Sequence, residues 1–523
     1  MYSNLQTSFC SQVDVLERDV LELLSLVRSV KNTLSPINRI PRDVLSIIPE
    51  YWADEDKADD NLITLTHVCR DWREVFVSRP SLWTRLDCTN VKKTRTYVER
   101  SKLSPLKVHL WWKEECISFL DDAFLLTVPH LGRFRSLSLF GPSDNLVGLI
   151  NELLYRPAPF LEKLKISFGD PHSVDNEFAI FGGNLSSLRE LRFVGVITSL
   201  PWKNLANLTT FEFHNVPSNT ISVTRLLDFF EHAPLLRHIR LWDILPTVSN
   251  TPPGRVVSLP HLEDLDIKAQ PAHSILLKHL LIPNGTSLVL EFNLDSERTP
   301  IPDYLPKRLD NLSHITEINL SCNLGLCLRL NGPSGGLYVL GHRTGAITSL
   351  TVANRKFLRS LNHFDISGAE RFAITAYDTA MSQKFTESPA YQTLHLMKTL
   401  RTLILAGCLN TPFITVLNPD QTPTRTLVCP ALEELVLYVK KKEWLHIKGL
   451  LGMAKGRSSS RARLSTIEIV SPHEVVSAKD VLELRNYVSR VEYRLGDTMP
   501  QWDEIGHEND RGWKGSWGYE SDW

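Results

Sequence analysis

The chain has 523 residues, which is too long for one compact core unless the architecture grows by repetition. Its 58 basic and 59 acidic side chains leave a formal net charge of −1, so no global charge excess points to nucleic acid or an anionic membrane as the partner. Hydrophobic residues at 42% and charged residues at 22% are ordinary for a folded soluble protein.

Residues 1–34 are predicted to form an amphipathic helix. Apolar residues recur at alternating steps of three and four, the spacing of a coiled-coil seam, at Val13, Leu16, Val20, Leu23, Val27, Val30 and Leu34. Charged residues interrupt the segment, so it lacks the apolar run of a signal peptide. The seam either pairs with a second chain or packs against the following module or the first repeats. Its short length favours packing within the chain.

Residues 35–100 are predicted to form a small helical module. Pro41 suits the first turn of a helix, and Val44, Leu45 and Ile48 line one face of that helix. Pro49 is expected to end this helix early, and the acidic stretch 53–60 is expected to be a solvated loop. A second group of apolar residues recurs at helical spacing, namely Leu62, Leu65, Val68, Cys69 and Trp72.

Here the sequence resembles the F-box family, specifically the F-box-like proteins of mushroom-forming fungi. The resemblance covers residues 38–87 and rests on Ile40-Pro41 with Val44-Leu45, on VCRDW at 68–72 and on PSLW at 80–83. It implies that the module binds the Skp-type adaptor, and through it the cullin core, of an SCF ubiquitin ligase, while the following repeats recruit the target protein. The residues implied to contact the adaptor or to hold its docking surface are Ile40, Pro41, Val44, Leu45, Ile48, Leu65, Val68, Cys69, Trp72, Leu82 and Trp83.

The alternative is a protein-binding scaffold outside any ligase, in which these helices only cap the solenoid. Repeat arrays need such a cap, because their terminal units otherwise expose a hydrophobic edge. Exposed apolar residues on the first helix of the module favour adaptor binding. Complete burial of that helix against the repeats favours the cap.

Residues 101–495 contain a recurring unit, in which an apolar residue, two polar positions and a second apolar residue lead into strand-like alternation. Leu188-Arg-Glu-Leu191-Arg-Phe193 is typical. The middle anchors follow one another at steps of 27, 27, 20, 28 and 26 residues from Leu137 to Leu265. Such spacing with an L-x-x-L-x-L core is typical of leucine-rich repeats. The sequence therefore predicts an α/β fold, an irregular leucine-rich-repeat solenoid of the type found in F-box and RNI-like proteins, preceded by a small all-α F-box-like module.

Each unit is predicted to add one strand to a shared parallel sheet and to return over the other side, often as a helix. Residues 224–232 are expected to form such a helix. A proline before the strand is expected to set the turn into it, at Pro159, Pro234, Pro260 and Pro430. Weaker copies at 108–110, 288–292 and 372–374 bring the array to about thirteen strands, a concave surface on the order of 60 Å long and suited to a macromolecule. A doubly wound α/β enzyme fits poorly, because the strand motif repeats and glycine loops are missing.

No motif of nucleotide binding, zinc hydrolysis or serine nucleophiles occurs, and the scattered cysteines and histidines lack metal-ligand spacing. GPSGG at 332–336 is explained by a turn between repeats. The basic stretches 440–442 and 455–463 are expected to be solvated insertions rather than RNA sites. Residues 496–523 are expected to be a flexible, acidic, tryptophan-rich tail. The sequence predicts a cytoplasmic or nuclear protein without catalytic residues, metal, cofactor, nucleic acid or membrane partner.

Overall fold

The structure is a computed structural model, and it describes a large part of the chain. Contacts divide the chain into two compact units, the first reaching Gly169 and the second running mainly from Leu185. The predicted tail lies outside the described residues except for its first residue. The described residues are 2–52, 58–88, 90–111, 122–141, 156–173, 181, 185–197, 205–216, 221–244, 254–269, 271–293, 312, 314–321, 326–342, 361, 364–376, 387–408, 410–421 and 427–496.

The first unit begins with helices. Short 3-10 turns at Pro36–Arg39 and Pro80–Trp83 each start with a proline, whose fixed φ suits that position. Asn90 begins the last helix, because its side-chain oxygen accepts the backbone N–H groups of Lys92 and Lys93 at 2.9 and 3.1 Å. The helices are α1 (Tyr2–Thr33), α2 (Arg42–Trp52), α3 (Ala58–Thr66), α4 (Arg70–Val77) and α5 (Val91–Ser101).

Three expectations for this region need correction. The expectation that Pro49 ends α2 is wrong, since the helix continues to Trp52. Pro49 lacks the N–H that would bond to the Leu45 carbonyl and its ring crowds that carbonyl, yet the residues around it keep helical backbone. The acidic stretch is not wholly a loop, because 58–60 form the first turn of α3, while 53–57 lie outside the described residues. Among the described residues the seam of α1 is not packed against the module or the repeats, because its side chains from Val13 to Leu34 are exposed.

The core of the helical module is aromatic. Trp72 and Phe76 on α4 meet edge to face, with ring centroids 5.6 Å apart. The Trp83 indole N–H donates to the Phe76 carbonyl at 2.9 Å, and the Trp83 ring contacts Tyr97 on α5 at 4.9 Å. The guanidinium of Arg100 lies 4.3 Å from the Trp83 ring centroid, a cation–π arrangement. Trp83 therefore holds α4 and α5 together.

A parallel sheet completes the first unit. Its strands follow chain order and are β1 (Arg85–Leu86), β2 (Leu106–Trp111), β3 (Phe134–Gly141) and β4 (Lys163–Ser173). A 3-10 turn at Val128–Arg133 leads into β3. Because β1 follows directly on the Pro80–Trp83 turn, the helical module supplies the strand that pairs with β2.

The second unit is built on a longer ladder of strands. Its members are β5 (Glu190–Ile197), β6 (Thr210–Val216), β7 (His238–Ile244), β9 (Asp264–Ala269), β11 (Ser287–Asn293), β12 (Glu317–Ser321), β13 (Leu326–Gly332), β14 (Gly335–His342), β15 (Arg371–Ala376), β16 (Thr402–Gly407), β17 (Glu434–Tyr438), β18 (Thr466–Ser471) and β19 (Arg490–Leu495). A separate parallel pair joins β8 (Val257–Ser258) and β10 (Leu280–Leu281).

The repeated motif has one local structure. Its second and third anchors lie in the strand with buried side chains, as Leu191 and Phe193 do on β5. Its first anchor ends a turn, since the N–H of Leu188 donates to the Leu185 carbonyl at 2.9 Å. The same turn contains the predicted prolines, because the residues at 161, 236, 262 and 432 donate to the carbonyls of the residues preceding Pro159, Pro234, Pro260 and Pro430. The predicted role of these prolines in the turn is confirmed.

Helices return the chain between strands of the second unit. The predicted helix at 224–232 is confirmed as α6, whose first turn is capped by the Ser222 hydroxyl accepting the Arg225 N–H at 3.2 Å. Its buried Phe229 contacts Phe211 on β6, with ring centroids 4.4 Å apart. The helices are α6 (Val223–Glu231), α7 (Pro271–Lys278), α8 (Glu387–Leu396), α9 (Asn410–Leu417), α10 (Ile447–Ser459) and α11 (Ala478–Arg485), with a 3-10 turn at Lys442–Trp444.

A hairpin interrupts the parallel ladder, which the repeat pattern did not predict. The strand order is β9, β11, β14, β13, β12, β15, so that β13 is antiparallel to both of its neighbours. The turn predicted at 332–336 is present, but it joins β13 to β14 instead of two repeats. The wrong expectation has a physical reason: both hairpin strands alternate apolar residues in the same way as the repeats do, and this alternation does not specify a strand's direction.

The basic stretch 455–463 is also not a solvated insertion throughout. Its first five residues continue α10, and Arg457 is fully buried. The two terminal nitrogens of Arg457 donate to the carbonyls of Val428 and Cys429, each at 2.8 Å. Arg457 therefore satisfies the backbone of the turn that leads toward β17.

Candidate protein-binding surfaces

The helical module exposes apolar side chains on α2 and on the turn after α3. Val44 and Ile47 on α2 and Val68 in the turn are between 41% and 51% exposed, and Pro41 before α2 is also exposed. Leu45 on the same helix is buried. Helix α2 therefore has one face toward the module core and another, apolar, toward solvent. We call Pro41, Val44, Ile47 and Val68 the apolar patch.

The remaining residues predicted for adaptor binding fall into two groups. Ile40, Ile48, Leu65 and Cys69 are half-buried. The buried ones hold the module and present no surface to a partner; they are Leu45, Trp72, Leu82 and Trp83. Ile47 was missed by the sequence analysis, although its position three residues after Val44 places both on one side of α2.

Polar contacts fix α2 on the rest of the module. Arg42 at the start of α2 pairs with Asp71 and Glu74 on α4, and these contacts raise the pKa of its guanidinium. Arg79 donates to the Ser46 hydroxyl from the turn after α4. The Arg73 Nε donates to the Thr66 carbonyl at 2.9 Å, which joins α4 to the end of α3. Since α2 and α4 are tied together, the apolar patch has a defined position.

The second unit presents a row of alternating charges on the sheet face opposite the leucine core. Strand register aligns Arg192, Glu212, Arg240 and Asp266 on β5, β6, β7 and β9. Arg192 Nη1 lies 3.3 Å from a Glu212 oxygen, and Arg240 Nη1 lies 3.8 Å from the other. Arg240 Nε lies 3.3 Å from an Asp266 oxygen. We call these four residues the charged row.

Aromatic groups flank the charged row. Trp242 and His214 are register partners on neighbouring strands, with ring centroids 4.9 Å apart. The Arg240 guanidinium lies 4.7 Å from the Trp242 ring centroid. The Trp242 indole N–H donates to Asp266 at 2.9 Å. Arginine and tryptophan are among the side chains enriched at protein–protein contacts.

Burial shifts two titrations at this surface in opposite directions. Loss of hydration raises the pKa of Asp266 to about 6, against the lowering effect of the Trp242 hydrogen bond and the Arg240 charge. Burial also lowers the pKa of His214 to about 3, with Arg240 and Arg192 adding to the shift. His214 is therefore neutral at physiological pH, while Asp266 is largely ionised.

Farther along the ladder the same face becomes apolar. Ala373, Ile404 and Val436 align on β15, β16 and β17 and form one cluster, against which Tyr438 packs. On β18 the aligned residue is Glu468, whose carboxylate lies 3.3 Å from Arg494 Nε. The three cluster side chains are buried and Tyr438 is half-buried, so this part of the face is more covered than the charged row.

The charged row could have been found from the sequence. Each of its members occupies the position between the second and third anchors of the repeat, as Arg192 does between Leu191 and Phe193. Aligning the repeats at that position gives Arg192, Glu212, Arg240 and Asp266 in succession, and later Ala373, Ile404 and Val436. The anchors alone do not reveal the row, because its residues occupy this intervening position.

Comparisons with known proteins give little further identification. No family model matches the chain, and no curated protein matches it. Among solved structures, the crystal structure of an internalin from Listeria monocytogenes aligns with 62% of this chain and 85% of its own chain, at 12% identity and a TM-score of 0.22.

The described residues contain no helix both long and apolar enough to cross a bilayer. They also contain no group of three or more His, Cys, Asp or Glu side chains placed to hold a metal ion. The six described cysteines form no disulfide with one another. Burial raises the pKa of the Cys429 thiol to about 12, so that thiol stays protonated and unreactive.

Proposed function

We propose that the chain is a substrate receptor of an SCF-type ubiquitin ligase, in which the helical module binds a Skp-type adaptor and the strand ladder holds a target protein. The chain itself catalyses nothing in this proposal. It raises the effective concentration of the target beside a separate enzyme. The observation that carries the proposal is the exposure of Val44 and Ile47 on α2, beside the buried Leu45.

The apolar patch supports a partner for the module. A partner that covers Val44 and Ile47 would remove their apolar surface from water, a gain in free energy that a cap alone does not provide. Arg42 ties α2 to α4 beside the patch, so these side chains are presented on a supported surface. Trp83 supports that surface from within, through its hydrogen bond to Phe76.

The strand ladder supports a protein as the target. On the face opposite the leucine core, the half-buried side chains of Arg240, Trp242 and Asp266 lie together, and the aromatic ring of Trp242 adds apolar surface to the two charges. Such a mixture suits a polypeptide, which offers both charged and apolar side chains. The balanced signs within the charged row give no preference for a uniformly charged polymer such as nucleic acid.

A capping role is compatible with this proposal and has its own observation. β1 follows the helical module and pairs with β2, so the module also covers one edge of the first unit's sheet. The scaffold alternative holds that this is its entire role. The two functions differ in one property, which is binding to the adaptor.

The test measures binding of purified Skp-type adaptor to the full-length chain by biolayer interferometry. The informative variant is Val44→Asp with Ile47→Asp, because both side chains are exposed and their replacement spares the module core. Leu45 and Trp83 are unsuitable for substitution, because both are buried and their loss would unfold the module. The matched control is Leu482→Asp with Leu495→Asp, two exposed leucines of the second unit.

We expect the wild-type chain and the control to bind equally, and the α2 variant to lose at least tenfold in affinity. Circular dichroism should show the same thermal unfolding for all three proteins. Absence of binding by the folded wild-type chain would overturn the receptor proposal and leave the scaffold. Equal binding by the α2 variant would show that the adaptor uses another surface.

A further inference from the structure

The N-terminal helix α1 has a continuous apolar face that the rest of the chain leaves in water. Its seam residues from Val13 to Leu34 follow a heptad repeat and are between 48% and 67% exposed. At 1.5 Å per residue this face is about 32 Å long. Packing of an amphipathic face supplies most of the stability of helices in proteins, so a partner on this face would stabilise α1.

The residue types along this face select the partner. In a heptad lettered a to g, the a positions are Val13, Val20, Val27 and Leu34, and the d positions are Leu16, Leu23 and Val30. Branching at Cβ in three of the four a positions, with leucine in two of the three d positions, favours two parallel strands over three or four. We propose that α1 pairs with α1 of a second copy of this chain as a parallel, in-register, two-stranded coiled coil, so that the protein is a dimer.

The side chains beside the seam bring no like charges together in this pairing. In a parallel pair each g side chain faces the e side chain of the next heptad on the partner helix. Asp19 at g then faces Leu24, and Lys31 at e faces Leu26, so the long stem of Lys31 covers a leucine while its charge stays in water. Gln12 faces Glu17, and no like charges meet across the interface.

The available area suffices for a stable pair. Each exposed Val or Leu side chain offers on the order of 80 Å² to a partner. Adding Leu24 and Leu26 to the seam gives nine such side chains on each helix, so the pair buries roughly 1,400 Å². A specific interface needs about 1,000 Å².

The test measures the mass of the full-length chain by sedimentation velocity, from nanomolar to tens of micromolar. The seam variant is Val20→Asp with Leu23→Asp. The matched control is Ser25→Asp with Ser29→Asp, which adds the same charge to the same helix away from the seam. We expect twice the mass of one chain for the wild type and the control, and a monomer for the seam variant.

A monomeric wild-type chain across this range would overturn the proposal. A trimer or larger assembly would overturn the two-stranded arrangement. Equal association by the seam variant would place the interface outside α1. A failure to dimerise can be distinguished from a failure to bind the adaptor, because the apolar patch on α2 is intact in every variant.

The orientation has its own test. In a Cys10→Ser background, a Leu16→Cys substitution places one thiol at the same d layer of each helix in a parallel pair. We expect this variant to form a disulfide-linked dimer under a mild oxidant, and a Ser25→Cys variant in the same background to form none. A mixture of Leu16→Cys and Val27→Cys chains tests the opposite orientation. If the Leu16→Cys chains link only to the Val27→Cys chains, the helices run antiparallel and the proposed orientation is wrong.

Discussion

Replacing Asp266 by asparagine should make the protein more stable near neutral pH but not in acid. Burial raises the pKa of this carboxyl from 3.8 to about 6, although the Trp242 hydrogen bond and the Arg240 charge favour its ionised form. Glu291 adds a smaller repulsion. The folded state therefore holds the proton more tightly than the unfolded state does, and stability is lost as the pH rises through this interval.

The magnitude follows from the size of the shift. The shift of about two pKa units lowers the unfolding free energy of the wild type by about 3 kcal/mol. This loss is complete only above pH 6. The amide of Asp266→Asn stays neutral at every pH and still accepts the Trp242 N–H. Placing an amide beside Arg240 changes the unfolding free energy by the same amount at every pH, so it does not alter the pH dependence. The difference in stability between variant and wild type should therefore grow by about 2 kcal/mol from pH 4.5 to pH 7.

The assay is urea-induced unfolding followed by circular dichroism at several pH values in this range. Glu370→Gln is the matched control, because it makes the same carboxylate-to-amide change on an exposed side chain. We expect its difference from the wild type to be flat with pH. A flat difference for Asp266→Asn as well would refute the argument that burial of this carboxyl costs stability.

Three further outcomes are expected. Burial holds the pKa of His214 at about 3 in the folded state, so the wild type loses stability as the pH falls from 6.5 to 4. His214→Gln should lose about 3 kcal/mol less over this interval, and equal losses in urea titrations would contradict this. Gly332→Ala should destabilise the second unit by about 1–3 kcal/mol in thermal melts, since its Cβ would lie 1.9 Å from the His314 carbonyl oxygen. The control Gly254→Ala should have no effect in the same melts, because its Cβ would meet no atom within 4 Å. Asn90→Ala should cost about 1 kcal/mol by removing the cap of α5, and an unchanged melting temperature would disprove that role.

The repeat made most of the strands predictable. Each strand places two anchors, such as Leu403 and Leu405, into the core at a fixed offset after a turn, so sequence spacing and structural spacing agree. The copies at 108–110, 288–292 and 372–374 are confirmed as β2, β11 and β15.

The structure departs from the sequence analysis where long-range contacts decide. Arg457 appears in a basic run, which is typical of solvent, yet two distant carbonyls draw its guanidinium inside. Heptad spacing predicted the apolar seam of α1 but did not determine what faces it. The roles of the adaptor-binding residues stay predictions, because exposure shows which side chains are available and not what binds them.

The hairpin of β13 and β14 has a consequence for how the chain folds during synthesis. On the side away from β9, β11 pairs with β14. β12 is synthesised before β14 but lies two strands beyond it in the sheet, with β13 between them. The native partner of this edge of β11 is therefore absent until Gly335–His342 has been synthesised. A ladder of consecutive repeats would close strand by strand. In this chain the middle of the ladder closes late, which leaves an open edge to be protected from aggregation while the intervening segment is made.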